Sequence, residues 1–318
     1  MISRVADHCF WLGRYLERVE STARVLYVTQ TMAGDVELSP RQCWQPVVIV
    51  SGVSEPFAAR FGADATGDGE LVQRYMTWDE QNPTSIQRSV SAARENARSI
   101  REVVSLEAWE ALNELHLFLQ GPRATAEYDQ ERFFFYRRVR NAMQLTIGLL
   151  RSTMLHDTPL DFIWLGVILE RSSQTARLLD VHHHAMTSME LHRVVQAALW
   201  LSILRACSGF EPFMKRHQGR VTRDAVAAFL VTEPQFPRSI RYCVHQGYLT
   251  LSSIRPPSAR DLPGGVALER LRVLDHWLSE VQPAALEQGS IHELLTHVVD
   301  ETAGTCSDIG RELLGYAA

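Results

Sequence analysis

Glu17, Glu20 and Arg24 fall within about 60° of one another on a helix that advances about 100° per residue. Glu170 and Arg177 recur on the same strip 153 residues later. Carboxylates and guanidiniums in that pattern have two uses. In the first, they line a polar cavity for a zwitterionic or phosphate-bearing ligand, with Arg14, Arg18, Arg24, Arg171 and Arg177 holding its anionic groups. In the second, the same groups pair across helices and fix the register of a bundle without doing chemistry.

The elements that must position these groups repeat as well. Residues 10–28 match residues 163–181 at 11 of 19 positions, including Trp11, Gly13, Glu17-Arg18 and Thr22-Ala-Arg24. Leu12, Tyr15, Leu16, Val19, Ala23 and Leu26 make an apolar side, with Leu165, Ile168, Leu169, Ala176 and Leu179 as counterparts. Gly13 and Gly166 stand one turn before the glutamates on the charged side. A glycine inside an exposed helix costs about 1 kcal/mol relative to alanine, so both predict close approach of another backbone or a ligand. The charged side is therefore expected to be covered and its charges paired. Two positions differ between the copies: Val167 stands for Arg14, and Ser173 for Glu20. On that asymmetry Glu17 and Glu20 are expected to face a wet, ligand-sized cavity, and Glu170 to sit in a drier lattice.

Arg94, Arg98 and Arg101 form a further stripe at i, i+4 and i+7. Three like charges repel unless acids or an anion sit opposite. Glu17, Glu20 and Glu170 are the expected partners within the chain, and an anionic ligand is the alternative. Pro237-Arg-Ser-Ile-Arg241 adds another arginine pair. Asp180 with His183 or His184 has spacing a metal can use. Neither Glu-x-x-His nor His-Glu-x-x-His occurs, however, and no metal site is expected. The sequence holds no P-loop, Gly-x-Gly-x-x-Gly or Gly-x-Ser-x-Gly, so no cofactor is expected either.

With 46% hydrophobic and 22% charged residues among 318, the chain reads as globular. Its 32 Lys and Arg against 37 Asp and Glu leave a charge of −5, with no global basic field for nucleic acid or an anionic membrane. Five scattered cysteines without Cys-x-x-Cys indicate neither a zinc ribbon nor a disulfide framework. The opening residues do not read as a signal peptide, and no apolar run of about 18 residues suggests a membrane span, so a cytoplasmic protein is expected.

Long proline-free stretches with apolar residues at i, i+3/i+4 and i+7 predict helices near 4–32, 84–104, 106–119, 130–155, 160–187 and 190–208. Shorter helices are expected from 222, and a last one near 290–314. Val47-Val-Ile-Val50 reads as a buried strand or a helix turn. The expected fold is all-α: one helical bundle over residues 1–318, built from two related halves.

The stretch Ser3-Arg-Val-Ala-Asp-His-Cys-Phe-Trp-Leu-Gly-Arg-Tyr-Leu-Glu-Arg-Val-Glu-Ser-Thr-Ala-Arg24 resembles the bacterial alpha-E domain family, which is all-helical and named for its Glu-Arg motifs. The likeness continues through Asn82-Pro-Thr-Ser-Ile86, Ala93-Arg-Glu-Asn-Ala-Arg98, Trp109-Glu-Ala-Leu-Asn113, Leu169-Glu-Arg171 and Pro237-Arg-Ser-Ile-Arg241. Members are typically encoded beside, or fused to, a circularly permuted ATP-grasp protein, often with a transglutaminase-like protease nearby. The resemblance thus implies a role in peptide or amide ligation, with an ATP-grasp partner and a peptide or amino-acid substrate. It also implies that Glu17, Arg18, Glu20, Arg24, Glu170, Arg171 and Arg177 occupy the family's charged positions; in an enzyme of such a system, Glu17 or Glu170 would be the general base toward an incoming amine, with arginines holding a carboxylate or acyl phosphate.

Overall fold

The computed structural model describes residues 2–35, 38–187, 193–217, 221–258, 261–283, 286 and 291–316. Residues up to 153 carry α1 (Ser3–Asp35), α2 (Pro40–Val50), α3 (Ser54–Phe61), α4 (Gly69–Trp78), α5 (Ile86–Ser99), α6 (Leu106–Gln120), α7 (Pro122–Gln130) and α8 (Arg132–Thr153). The remainder carries α9 (Thr158–Thr187), α10 (Arg193–Ala206), α11 (Phe210–Arg216), α12 (Arg223–Thr232), α13 (Ile240–Ile254), α14 (Gly265–Glu280) and α15 (Ile291–Ile309). Among the described residues there is no strand, and the fold is all-α.

Local chemistry explains where these helices start and stop. Ser85, Ser105 and Ser239 hold extended backbone and accept the amides of Arg88, Ala108 and Tyr242, which starts α5, α6 and α13. Val47–Val50 is helical: Ser39 and Gln42 form a reciprocal cap, and Pro40 takes the first position. The helix expected over 130–155 breaks at Glu131 (φ −137°, ψ 55°), between α7 and α8. The one expected over 84–104 ends at Ser99, so Arg101 lies beyond it.

Central to the fold are α1 and α9. Helix α1 packs on α9, α5 and α8; α9 packs on α1, α13 and α15. The arrangement corresponds further out, because α6 lies against α5 and α8 as α14 lies against α13 and α15. One hydrophobic core joins both stretches, with Leu12, Leu16, Leu26, Leu165, Leu169 and Leu179 each at most 1% exposed.

The two central helices touch at the repeated glycines. A Cβ on Gly13 would overlap the Ile163 carbonyl and stand 3.1 Å from the Val167 nitrogen. A Cβ on Gly166 would overlap the Phe10 carbonyl and stand 3.1 Å from the Arg14 nitrogen. Ile163 and Val167 follow Phe10 and Arg14 by 153 residues, so this is one contact seen from both sides. The glycine faces turn inward, as their cost in open water requires.

Candidate functional site

Backbone contact at Gly13 and Gly166 brings each glutamate, one turn on, within reach of the other helix. Glu17 accepts from Arg171 Nη2 at 2.7 Å. Glu170 accepts from Arg18, Nε at 2.8 Å and Nη2 at 3.0 Å. Each Glu-Arg pair therefore offers its acid to the other pair's arginine. The next contacts correspond too: Ser21 donates to Glu17 at 3.3 Å and Gln174 to Glu170 at 3.2 Å, each from one turn along its own helix.

Where the sequences of the copies part, so do the contacts. Arg14 adds a second guanidinium to Glu170, at 2.7 Å from Nη2 and 2.8 Å from Nε. The counterpart of Arg14 is Val167, and Arg238, just ahead of α13, fills the vacancy on Glu17 with Nη1 at 2.8 Å. Its Nη2 reaches Glu20 at 2.7 Å. Glu20 also accepts from Gln144 of α8 at 3.0 Å and pairs with Arg24. Arg177, with Ser173 in place of an acid one turn earlier, makes no ion pair among the described residues and lies beside Gly52.

Glu17 and Glu20 are fully buried, and Glu170 is 3% exposed. This corrects the expectation of a wet cavity at Glu17 and Glu20. Arg238 closes over both, an arrival that the helical repeat alone does not announce.

Burial pushes the Glu17 carboxyl up, but Arg171 and Arg238 outweigh it and hold the group below the usual carboxylate range. At Glu170, Arg18 and Arg14 outweigh burial in the same way and hold it far below. Both oxygens of each glutamate already accept from donors. Such a carboxylate is a poor general base. Arg24 goes the other way: burial first, then the charges of Arg238 and Arg140, push its guanidinium down to about 9. It keeps its proton at neutral pH, so the shift reflects a cation held out of water and beside other cations.

A pH prediction follows from the depressed carboxyls. A group whose folded pKa is lowered adds stability above its unfolded value, 4.5 here, and loses it as pH falls through the folded value. The margin of wild type over Glu170→Gln in urea melts is expected to stay level from about pH 8 to about pH 5 and to shrink below about pH 4.5. A margin already closing between about pH 7 and pH 5 would contradict the paired, ionised state.

A family described as "a predicted alpha-helical domain with a conserved ER motif" matches residues 1–314. The chain belongs to the Alpha-E family. Uncharacterized proteins of Mycobacterium bovis and Mycobacterium tuberculosis are each 25% identical to this Alpha-E chain over 320 aligned positions, 95% of the chain and 35% of the relative. The Alpha-E chain thus spans about a third of the length of these curated relatives. No solved structure matches it significantly.

Three other arginines of the Alpha-E chain stay outside the lattice, which corrects their expected pairing with Glu17, Glu20 and Glu170. Arg94 donates to Asn113 at 2.8 Å and pairs with Glu95 at 2.8 Å; Arg98 pairs with Glu95 at 2.7 Å. Arg94 and Arg101 both lie over the Trp109 ring, at 5.4 and 5.2 Å. An aromatic face and one local acid do the work assigned to the distant glutamates.

Asp180 is hydrogen-bonded to His292 at 2.8 Å, and His183 meets the Trp200 ring at 6.5 Å. The His184 side chain lies outside the described residues. Among those described, no group of three His, Cys, Asp or Glu could hold a metal ion. Burial pushes the thiols of Cys9 and Cys243 up to about 12 and that of Cys207 to about 11, which favours the neutral thiol over the reactive thiolate. No helix among the described residues is long and apolar enough to cross a membrane.

Proposed function

We propose that this Alpha-E chain is the helical, non-catalytic component of a cytoplasmic ATP-grasp-linked peptide or amide ligation system. It binds the circularly permuted ATP-grasp ligase or that ligase's peptide-like substrate. The observation that carries this reading is the state of Glu17 and Glu170. Buried and ionised, Glu17 takes donors on both oxygens from Arg171, Arg238 and Ser21, and Glu170 from Arg14, Arg18 and Gln174, so each serves as a clamp and is a poor match for an amine's proton. The reading in which Glu17 or Glu170 is a general base would need a carboxylate matched to that proton. The arginines, by contrast, outnumber the acids they meet: Arg24, Arg171 and Arg238 face Glu17 and Glu20. Surplus guanidinium suits recognition of carboxylate and phosphate groups, the chemistry that a ligation system handles. Relatives about three times as long are what a domain working beside another would give.

Affinity capture of the chain at native levels from its own cells is expected to recover an ATP-grasp protein in near-stoichiometric amount. The purified chain is expected to hydrolyse no ATP. Recovery without any ATP-grasp protein, or ATP turnover abolished by Glu17→Gln, would sink the reading.

A further inference from the structure

Beyond the lattice, Arg24 forms one wall of a cavity of about 640 Å³ between α1, α8 and α10. That volume suits a small ligand. Arg24, Arg140 and Arg205 line it, together with Tyr27, Ser208 and a single acid, Glu211. Arg24 is 4% exposed; it donates through Nη1 to the Ser208 hydroxyl, and its Nε has no partner. Half-buried Arg140, over the Tyr27 ring at 5.6 Å, also has an Nε without a partner. Arg205 lies over Phe210 at 5.8 Å and makes no ion pair among the described residues. Ser208 is the one non-glycine residue among those described with positive φ, 52°. That left-handed backbone, seldom adopted by L-residues, sets its hydroxyl against Arg24.

The charges around this cavity do not balance. Glu17 and Glu20 meet three guanidiniums, and beyond them Arg140 and Arg205 share the cavity with Glu211 alone. Two positive charges are left without a counterpart. Guanidiniums gathered around one cavity repel one another unless an anion sits among them.

We propose that this cavity binds a doubly charged oxyanion, a phosphate ester or a dicarboxylate, gripped by Arg24, Arg140 and Arg205. A dianion there neutralises the surplus and accepts from guanidiniums that line the cavity. The site rests on reading the chain as a binding component, yet it is measured on the isolated protein, so it can fail while partner capture succeeds, and the reverse.

The test is calorimetric titration of the full chain with inorganic phosphate, sulfate or succinate at about pH 8, where phosphate is largely dianionic. Sodium chloride holds ionic strength constant. At least one dianion is expected to bind saturably, one per chain. Arg140→Gln and Arg205→Gln, neither of which removes an ion pair of the buried lattice, are each expected to weaken it about tenfold or more with no loss of stability in urea melts. Tighter binding of phosphate or sulfate assigns the site to a phosphate ester; tighter binding of succinate assigns it to a dicarboxylate. No saturable binding of any of the three, or binding indifferent to both variants, overturns the proposal.

Discussion

Glu17→Gln is expected to lower the unfolding free energy by about 3–5 kcal/mol, the range for breaking a buried ion pair by removing one partner. The abandoned groups are Arg171 and Arg238, whose side chains are 9% and 13% exposed. Glutamine offers one acceptor oxygen and no charge to replace a carboxylate that takes both guanidiniums. Glu170→Gln abandons Arg14 and Arg18, which are 17% and 15% exposed and closer to water. Its cost is expected to be smaller, about 2–3 kcal/mol, because water can solvate part of what is left. This order is the reverse of the one the sequence asymmetry suggests. Urea melts of the two variants decide it. A loss under about 1 kcal/mol for Glu17→Gln would mean that water reaches its arginines after all.

Gly13→Ala and Gly166→Ala are each expected to cost about 3 kcal/mol, although alanine in a helix is intrinsically better than glycine by about 1 kcal/mol. The sign turns on what the new methyl meets. At both sites it is the backbone of the facing helix, which has no rotamer to move aside, so α1 and α9 must separate along their whole contact. Gly148, exposed in α8 with nothing within 4 Å of an added Cβ, is the internal control. Gly148→Ala is expected to be neutral or to stabilise by up to about 1 kcal/mol. Equal effects at Gly13 and Gly148 in thermal melts would show that the central helices do not touch as described.

The contact between α1 and α9 was legible because a helical glycine on a charged face needs a reason, and the same glycine occurred twice. Pairing was legible too, since buried charges must find partners. Which charges pair was not. Arg238 enters from 221 residues beyond Glu17, and helical periodicity carries no information about contacts at that range. A clue lies in Phe236-Pro-Arg-Ser-Ile240, which aligns with Asn82-Pro-Thr-Ser-Ile86 ahead of two equivalently placed helices. It shows where Arg238 sits but not what it reaches. The Arg94, Arg98, Arg101 stripe misled for a related reason: spacing does not say where the helix ends or what lies opposite, and here Arg94 and Arg101 lie over Trp109 while exposed Arg98 meets Glu95. Short α2, with Pro46 inside, left its Val47–Val50 segment undecided between strand and helix.

The reciprocal clamp is tested most directly by double-mutant cycles on Glu17 with Arg171 and on Glu170 with Arg18, each residue changed to Gln and each variant followed by urea unfolding. Two arms of one clamp are expected to show favourable coupling of about 1.5–3 kcal/mol in both cycles. Additive losses, with coupling within about 0.5 kcal/mol of zero in either cycle, would show that the repeated Glu-Arg pairs do not hold α1 to α9.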